Sequence, residues 1–277
     1  MIVSASRRCD IPRHDFDWFM GRLNAGYVDA VNPFNRNQVR RISLVPRSAN
    51  AVDGVDALVF WTRDPRHILA NAEALTQRGF FFYVMVTITG YPRELEPSMT
   101  RAHKICAAVK ELSRKIGPER VIWRYDPIFM SSITDEDFHR RNFSELAREL
   151  AGSVRRVIIS LYNEYRGAKL RIDAMERMGV FQMGQHDAAS LGGMLSDLAK
   201  SAGAAGMEIQ SCAEEVSLEP FGIKGGACID AALINKLWGL ELKGKDKNQR
   251  PYCLCCQSVD IGAYKACNSG CVYCYAW

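Results

Sequence analysis

The fold class of this chain is decided by one stretch of sequence, FFFYVMVTI at residues 80–88. A strand with one face in water alternates apolar and polar residues, because successive side chains point to opposite faces. This stretch is apolar at almost every position instead, which is typical of a strand buried on both faces. Such strands occur in parallel sheets that other elements cover on each side. The stretch therefore predicts an α/β protein built on a parallel sheet.

Outward from this strand, short apolar runs alternate with helix-like stretches along most of the chain. The other predicted strands are residues 1–6, 27–31, 57–61, 120–123, 154–161 and 206–210. The predicted helices are residues 16–23, 67–78, 101–116, 135–150 and 190–202. Because such alternation favours parallel pairing, we expect a partial or closed (β/α) TIM-like barrel. An open doubly wound sheet is the alternative, although no GxGxxG or GxxxxGK[ST] phosphate loop supports a nucleotide-binding version of it.

The composition is that of a globular protein, with 48% of the 277 residues hydrophobic and 24% charged. No apolar run reaches the roughly 18 residues that a membrane span needs. The first residues also lack the basic and apolar segments of a signal peptide. We therefore expect a cytoplasmic protein with no membrane partner. The net charge of +5 permits an anionic partner such as nucleic acid without requiring one.

The sequence pattern changes near residue 218, where prolines and glycines interrupt the periodicity. We predict an α/β barrel core at residues 1–217 and a cysteine-rich extension at residues 218–277 that docks on it. The extension holds a helix-like run at 229–238 and a basic stretch at 243–250. It is too irregular to bury an apolar core alone, so we expect metal and docking to stabilise it.

Polar side chains gather where the predicted strands end. In α/β barrels these carboxyl ends converge on the face that carries the active site. The candidates are Ser6, Arg8 and Asp10 after the first strand, Arg63 after the third, Arg124 and Asp126 after the fifth, and Glu214 after the last. One Arg–Asp pair is more often a local brace, but an arginine with a nearby aspartate at three strand ends favours a functional face.

The cysteines are unevenly distributed, since seven of the ten lie in the last 50 residues. In a reducing compartment such clustering indicates metal or redox chemistry rather than disulfides. Three of them form a CxxxCxxC motif at Cys267, Cys271 and Cys274. Three thiolates on one short loop can ligate three irons of a 4Fe–4S cluster and leave the fourth iron open. Zinc sites more often pair CxxC with a second CxxC or with histidines, so the spacing favours a cluster.

A second set of cysteines remains outside that motif. Four thiolates close a site completely, as an electron-transfer cluster or a structural zinc requires. The predicted ligands are Cys212, Cys228, Cys253 and Cys255, with Cys256 as an alternative to Cys255. The competing interpretation is that Cys212 and Cys228 are isolated buried thiols.

The cysteine loop carries a resemblance. CxxxCxxC with Tyr273 before its last cysteine resembles the signature of radical S-adenosylmethionine enzymes, and CNSGCVYCY is most similar to the version in spore photoproduct lyase. The rest of the chain resembles a bacterial family of unknown function of the same lineage. The matching segments are SRRCDIP (6–12), NPFN (32–35), FWTR (60–63), WRYDP (123–127), SCAE (211–214) and SVDIG (258–262).

The order of these elements differs from that of the lyase. In the lyase the cysteine loop precedes the strands, whereas here it follows them. The chain thus resembles a circular permutation, and we expect the loop to lie beside the first strand.

The resemblance also implies roles for individual residues. The three cysteines of the loop would ligate a 4Fe–4S cluster whose open iron chelates S-adenosylmethionine. Tyr273 would lie against the adenine, and Arg63, at the position of a lysine in the lyase, would face the cofactor carboxylate. Further cofactor contacts are implied for Ser6, Arg8 and Asp10. Cys9 departs from the bacterial family of unknown function, which usually has threonine at this position.

These observations lead to two hypotheses of different classes. The first is a radical S-adenosylmethionine enzyme, in which reductive cleavage of the cofactor yields a 5′-deoxyadenosyl radical that removes hydrogen from an unknown substrate. Arg124, Asp126 and Glu214 are its candidates on the substrate side, and a flavodoxin or ferredoxin would supply the electron. The second is a nucleic-acid-binding or sensing protein, stabilised by iron–sulfur or zinc sites, without catalysis. Nucleic acid as the substrate rests on kinship with the lyase alone.

Overall fold

The computed structural model describes residues 1–32, 35, 37–47 and 54–276. Pro33 and Phe34 of the NPFN segment, and Trp277, lie outside the described residues. The strands are β1 Ile2–Ala5, β2 Tyr27–Val31, β3 Val39–Ser43, β4 Ala57–Thr62, β5 Phe82–Thr87, β6 Val121–Ile128, β7 Arg156–Leu161, β8 Glu208–Cys212, β9 Lys224–Gly226 and β10 Val259–Asp260. The α-helices are α1 Ile11–His14, α2 Phe16–Ala25, α3 Arg66–Gln77, α4 Ala102–Ile116, α5 Glu136–Leu150, α6 Arg166–Arg177, α7 Gly192–Ala204 and α8 Ala231–Trp238. None of these helices is long and apolar enough to cross a lipid bilayer.

Eight strands form one sheet in the order β10-β1-β4-β5-β6-β7-β8-β9, and every neighbouring pair is parallel. The predicted α/β fold on a parallel sheet is therefore confirmed. The edge strands β9 and β10 are only three and two residues long. Within the described residues they do not pair with each other, so a closed TIM-like barrel is not shown.

Both faces of the central sheet are buried, as FFFYVMVTI predicts. In β5, the side chains of Phe82, Val84 and Val86 belong to the apolar core shared with the helices. Tyr83 and Met85 point to the opposite face and pack in a separate core. That second core contains α8 and the cysteines of the 253–256 segment. The main helices pack on one face only, which argues against the doubly wound alternative.

The predicted strand at residues 27–31 forms as β2, but it does not join the central sheet. It pairs antiparallel with β3 in a separate two-stranded sheet. Val28 is buried while Asp29 and Val31 are exposed, so β2 has one face in water. This alternation is typical of an antiparallel hairpin. Placing residues 27–31 among the strands of the barrel is therefore wrong.

The segment after residue 217 is built into the sheet rather than attached to its surface. Its strand β9 extends the sheet beside β8, and its strand β10 pairs with β1 at the other edge. Between them, α8 is capped by Asp230, whose side chain accepts the backbone N–H of Ala232 at 2.9 Å. Leu233 and Ile234 of this helix fill the face of the sheet that the other helices leave open. The extension thus supplies the cover that a parallel sheet requires.

Helix α5 positions a buried histidine behind the strand ends. The helix is capped by Asp135, which accepts the N–H of Phe138 at 2.7 Å. His139 lies fully buried, with Nε2 3.2 Å from the carbonyl oxygen of Phe129 and Nδ1 2.8 Å from the hydroxyl of Tyr125. Because a carbonyl only accepts, Nε2 carries a proton, and in the neutral ring Nδ1 accepts from the hydroxyl of Tyr125. Burial lowers the pKa of His139 from 6.5 to about 4.

This histidine predicts a loss of stability in mild acid. Between pH 6.5 and 4, His139 is protonated in the unfolded chain but stays neutral in the folded protein. The free energy of unfolding therefore falls as the pH falls. The full effect is up to about 3 kcal/mol. Urea unfolding across this pH range should show a shallower loss for His139→Gln than for the parent protein. His103→Gln, at an exposed histidine of α4, is the control and should keep the parent slope. Equal slopes for all three proteins would contradict the prediction.

Candidate functional site

The cysteine loop at residues 267–274 folds over the carboxyl ends of β4 and β5. Val272 donates its backbone N–H to the carbonyl of Leu95 at 3.0 Å, and Arg171 of α6 donates from Nε to the carbonyl of Val272 at 3.0 Å. Cys274 donates its N–H to the carbonyl of Cys271 at 3.1 Å, which closes a turn. These contacts hold the second and third cysteines of the motif between the segment that follows β5 and helix α6.

Gly270 allows the approach to that turn. Its φ of +70° lies in the left-handed region that side chains other than glycine rarely adopt. A Cβ at this position would also lie 3.4 Å from Pro97. Conformation therefore favours glycine before Cys271, whereas a Cβ there would make only an ordinary contact with Pro97.

Tyr273 joins the loop to a buried charge network. Its hydroxyl accepts an N–H from Nη2 of Arg63 at 2.7 Å and donates to Oε1 of Glu96. Nη1 of Arg63 pairs with the same Glu96 oxygen at 2.7 Å, and Thr89 donates to it at 2.6 Å. Burial alone would lower the pKa of Arg63, but the charge of Glu96 outweighs it and holds that pKa well above its usual value. Arg63 is therefore a permanent cation beside the loop.

The ring of Tyr273 is enclosed by aromatic side chains. It stacks on Phe129, with centroids 5.7 Å apart and planes inclined by 29°, and meets the edge of Tyr91 at 5.9 Å and 89°. Tyr273 is 5% exposed. The tyrosine that the resemblance places against an adenine is therefore packed into the protein, where it fixes the turn between Cys271 and Cys274.

The candidates that follow β1 lie on the same side of the sheet. Asp10 accepts the backbone N–H of Arg63 at 2.8 Å and so ties the end of β1 to that of β4. Burial raises the pKa of the Asp10 carboxyl. Ser6 donates its hydroxyl to Asp260 at 2.7 Å and accepts the backbone N–H of Arg8 at 2.9 Å. These residues order the backbone around the loop through hydrogen bonds.

The loop lies beside the segment that follows β1, as the permuted order predicts. Ser269 is 3.1 Å from Nη1 of Arg13 and 3.0 Å from Nε2 of His14, both on α1. Tyr275, directly after the last cysteine, donates its hydroxyl to the carbonyl of Arg7 at 2.7 Å. Residues on both sides of Cys271 thus contact the first 14 residues of the chain.

The three thiols of the loop influence one another. Burial raises the pKa of Cys271 to about 12, with Arg63 opposing and the thiols of Cys267 and Cys274 reinforcing the shift. Burial likewise raises the pKa of Cys274. Within the described residues, no group of three or more His, Cys, Asp or Glu side chains is arranged to hold a metal ion. The donor set itself fits a thiophilic centre, because three soft ligands share one loop beside a buried cation that offsets thiolate charge.

Arg124 and Asp126 come together on the face of β6 that points away from the main helices. They form an ion pair, and the hydroxyl of Ser160 on β7 donates to Asp126. The guanidinium of Arg124 lies 4.5 Å over the ring of Trp61. Its Nε is buried and has no hydrogen-bond partner among the described residues.

Glu214 is placed differently from those two residues. Its Oε1 accepts the backbone N–H of Leu161 at 2.8 Å, which braces the end of β7. Burial raises the pKa of this carboxyl group, with Arg250 opposing the shift. The side chain therefore has a structural contact of its own.

The second set of cysteines also assembles. The thiol of Cys228 contacts that of Cys212, with the sulfur atoms 3.1 Å apart. The thiol of Cys255 lies near those of Cys228 and Cys253, and both neighbours influence its pKa. The same sulfur accepts the backbone N–H of Ile229 at 3.3 Å. Cys212 and Cys228 are thus not isolated thiols.

The comparison with protein families covers almost the whole chain. Residues 2–276 match the model described as Domain of unknown function (DUF1848). The chain belongs to the DUF1848 family. A comparison with curated proteins returned no match.

Sequence reasoning missed three residues that organise this DUF1848 site. Glu96 lies in the irregular segment between β5 and α4, and its sequence context YPRELEP carries no periodic signal. Asp260 accepts hydrogen bonds from Ser4 and Ser6, yet β10 is too short to register as a strand. Ser269 is one of the variable positions of CxxxCxxC. For Asp260, the recurring segment SVDIG was the available signal.

Proposed function

We propose that this DUF1848 protein is a radical S-adenosylmethionine enzyme on a partial (β/α) barrel. The observation that carries the proposal is the hydrogen bond between Tyr273 and Arg63. It fixes a CxxxCxxC loop at the carboxyl edge of a parallel sheet, where α/β barrels place their active sites. Membership of the DUF1848 family does not indicate an activity. The proposal therefore rests on this placement and on the resemblance of the loop to the signature of radical S-adenosylmethionine enzymes.

Cys267, Cys271 and Cys274 are the residues that would hold a 4Fe–4S cluster and leave one iron for S-adenosylmethionine. When bound, this pair supplies one-electron cleavage of the cofactor to a 5′-deoxyadenosyl radical that removes hydrogen from the substrate. A one-electron donor of the flavodoxin or ferredoxin type would be its partner. The protein contributes position, a dry surround and charge.

The side chains around the loop have distinct tasks in this proposal. Glu96 and Tyr273 hold the Arg63 guanidinium in place, so that its charge faces the thiolates without rearrangement. Apolar neighbours, among them Leu95 and Phe129, exclude water from the buried side of Cys271. The Arg124–Asp126 pair, on the face of the sheet away from the main helices, is the candidate contact for a polar substrate. The proposal leaves the identity of that substrate open.

The test is anaerobic reconstitution of the full chain with iron and sulfide, followed by reduction in the presence of S-adenosylmethionine. We expect release of 5′-deoxyadenosine, measured by chromatography, and a cluster that becomes visible by electron paramagnetic resonance on reduction. An intact cluster, counted by iron and sulfide assay, with no release of 5′-deoxyadenosine would overturn the proposal. That outcome favours the non-catalytic binding or sensing protein.

A further inference from the structure

Four cysteines from three separate segments meet at the β8–β9 edge of the sheet, on the face away from the main helices. Cys212 ends β8, Cys228 follows β9, and Cys253 and Cys255 come from the irregular segment before β10. The sulfur atoms of Cys212 and Cys228 are 3.1 Å apart, and the thiol of Cys255 lies close enough to those of Cys228 and Cys253 to influence the pKa of each. The sheet is what brings the first two together, because Cys212 of β8 is in register with Gly226 of β9.

An arginine borders this group of thiols. Nη1 of Arg124 donates to the sulfur of Cys228 at 3.6 Å. The side chain is only 13% exposed and is paired with Asp126. Its buried Nε has no hydrogen-bond partner in the described part of the chain. A buried donor without a partner is costly, so this guanidinium favours a further acceptor beside it, such as a thiolate sulfur.

We propose that Cys212, Cys228, Cys253 and Cys255 form a closed four-thiolate metal site, and that Arg124 is its counter-cation. The site accepts a thiophilic centre, either Zn²⁺ or a 4Fe–4S cluster, since both take four thiolates. Binding replaces four S–H bonds by four metal–sulfur bonds and releases four protons, with no change in oxidation state. Among the described residues the four thiols do not surround a common centre, so binding draws the irregular 253–255 segment inwards.

The charge balance explains the arginine. Four thiolates with Zn²⁺ carry a net charge of −2, and four thiolates with an oxidised 4Fe–4S core carry the same charge. A buried dianion needs a nearby cation and N–H donors. Arg124 supplies both, and Asp126 keeps the guanidinium oriented towards the thiols. This inference moves Arg124 from the substrate to the second metal site, and it does not depend on radical chemistry at Cys271.

The structure also distinguishes two adjacent cysteines. The sulfur of Cys255 accepts the N–H of Ile229 at 3.3 Å, and its pKa is influenced by the thiols of Cys228 and Cys253. Cys256 instead donates its backbone N–H to the carbonyl of Ile229 at 3.0 Å, and the thiol that influences its pKa is that of Cys255. Cys255 is therefore the ligand, and Cys256 is a matched control one position away.

The first experiment isolates the second site. In a full-length chain with Cys267→Ser, Cys271→Ser and Cys274→Ser, purified and reconstituted without oxygen, we expect one zinc ion or one iron–sulfur cluster per chain. Elemental analysis with sulfide assay tells the two apart, and either supports the proposal. Adding Cys212→Ser or Cys255→Ser should remove that metal, whereas Cys256→Ser should retain it.

Circular dichroism and thermal unfolding are measured for each variant, and loss of metal is interpreted only for variants that are folded. A folded chain without metal, or with a Cys212–Cys228 disulfide in its place, overturns the proposal. So does a Cys256→Ser variant that loses as much metal as Cys255→Ser. Because the background variant lacks the CxxxCxxC thiols, its metal content is independent of whether the protein cleaves S-adenosylmethionine.

The second experiment tests the arginine. Arg124→Gln should weaken metal affinity about 10- to 100-fold in competition with a chromophoric chelator, as loss of a charge-assisted hydrogen bond requires. If the centre is a cluster, its midpoint potential should also become more negative. The control is Arg120→Gln, at the arginine preceding the same strand, which donates to the carbonyl of Phe82 at 2.9 Å. An Arg124→Gln variant that binds metal within twofold of Arg120→Gln contradicts the role of Arg124.

Discussion

Cys271→Ala is expected to abolish release of 5′-deoxyadenosine and to remove one cluster, roughly four iron atoms, from the reconstituted protein. Cys271 is the most enclosed cysteine of the loop and lies beside the cation of Arg63. With only Cys267 and Cys274 left, a cube would have two protein ligands, which is too few to retain it. The second set of cysteines is untouched, so its metal should remain.

The matched control is Cys106→Ala, since Cys106 is also fully buried but lies in α4 within the helix-side core. That variant should keep both its iron content and its activity, apart from a modest loss of stability for the smaller side chain. If Cys271→Ala retained iron and turnover like the control, the ligand assignment would be wrong.

Glu96→Ala is expected to lower the free energy of unfolding by about 3–5 kcal/mol. The carboxylate is 3% exposed and receives hydrogen bonds from Arg63, Thr89 and Tyr273. Its removal leaves a buried guanidinium without a counter-charge, and that uncompensated charge dominates the cost. Urea unfolding at neutral pH measures the change.

Two variants define how this second result is interpreted. Glu94→Ala changes an exposed glutamate two positions away and should shift stability by no more than about 0.5 kcal/mol. The double variant Arg63→Met with Glu96→Leu removes both charges and should recover most of the loss. A Glu96→Ala protein as stable as Glu94→Ala would show that the network contributes nothing to folding.

The elements that sequence alone could predict are those whose own periodicity is strong. The strands at the centre of the sheet and helices such as α4 and α5 have buried faces that show directly in the order of apolar residues. Helix α6 was not predicted, because it buries only Ala168 and Ile172 along 12 residues. The edge strands β9 and β10 were not predicted for a related reason, since two or three residues carry no periodic signal.

Pairing partners are a different kind of information. Residues 27–31 have a strand pattern, but no local pattern tells whether a strand joins a parallel sheet or a hairpin. The same limit applies to the site. Spacing singled out Cys271, and a position at the end of a predicted strand singled out Arg63. Glu96, which links Arg63 to Tyr273, lies in a segment without regular structure. A residue that acts through long-range contacts leaves no trace in its neighbours.

The pairing of β1 with β10 has a consequence for the order of assembly. Ser4 and Asp260, which share a hydrogen bond across these strands, are separated by 256 positions. During synthesis β1 emerges well before β10, and its outer edge stays unpaired until β10 has followed. Contacts between such distant positions also form slowly. The sheet can therefore be complete from β1 to β8 before the thiols of the loop arrive, and the proposed cluster at Cys271 would then be acquired late in maturation.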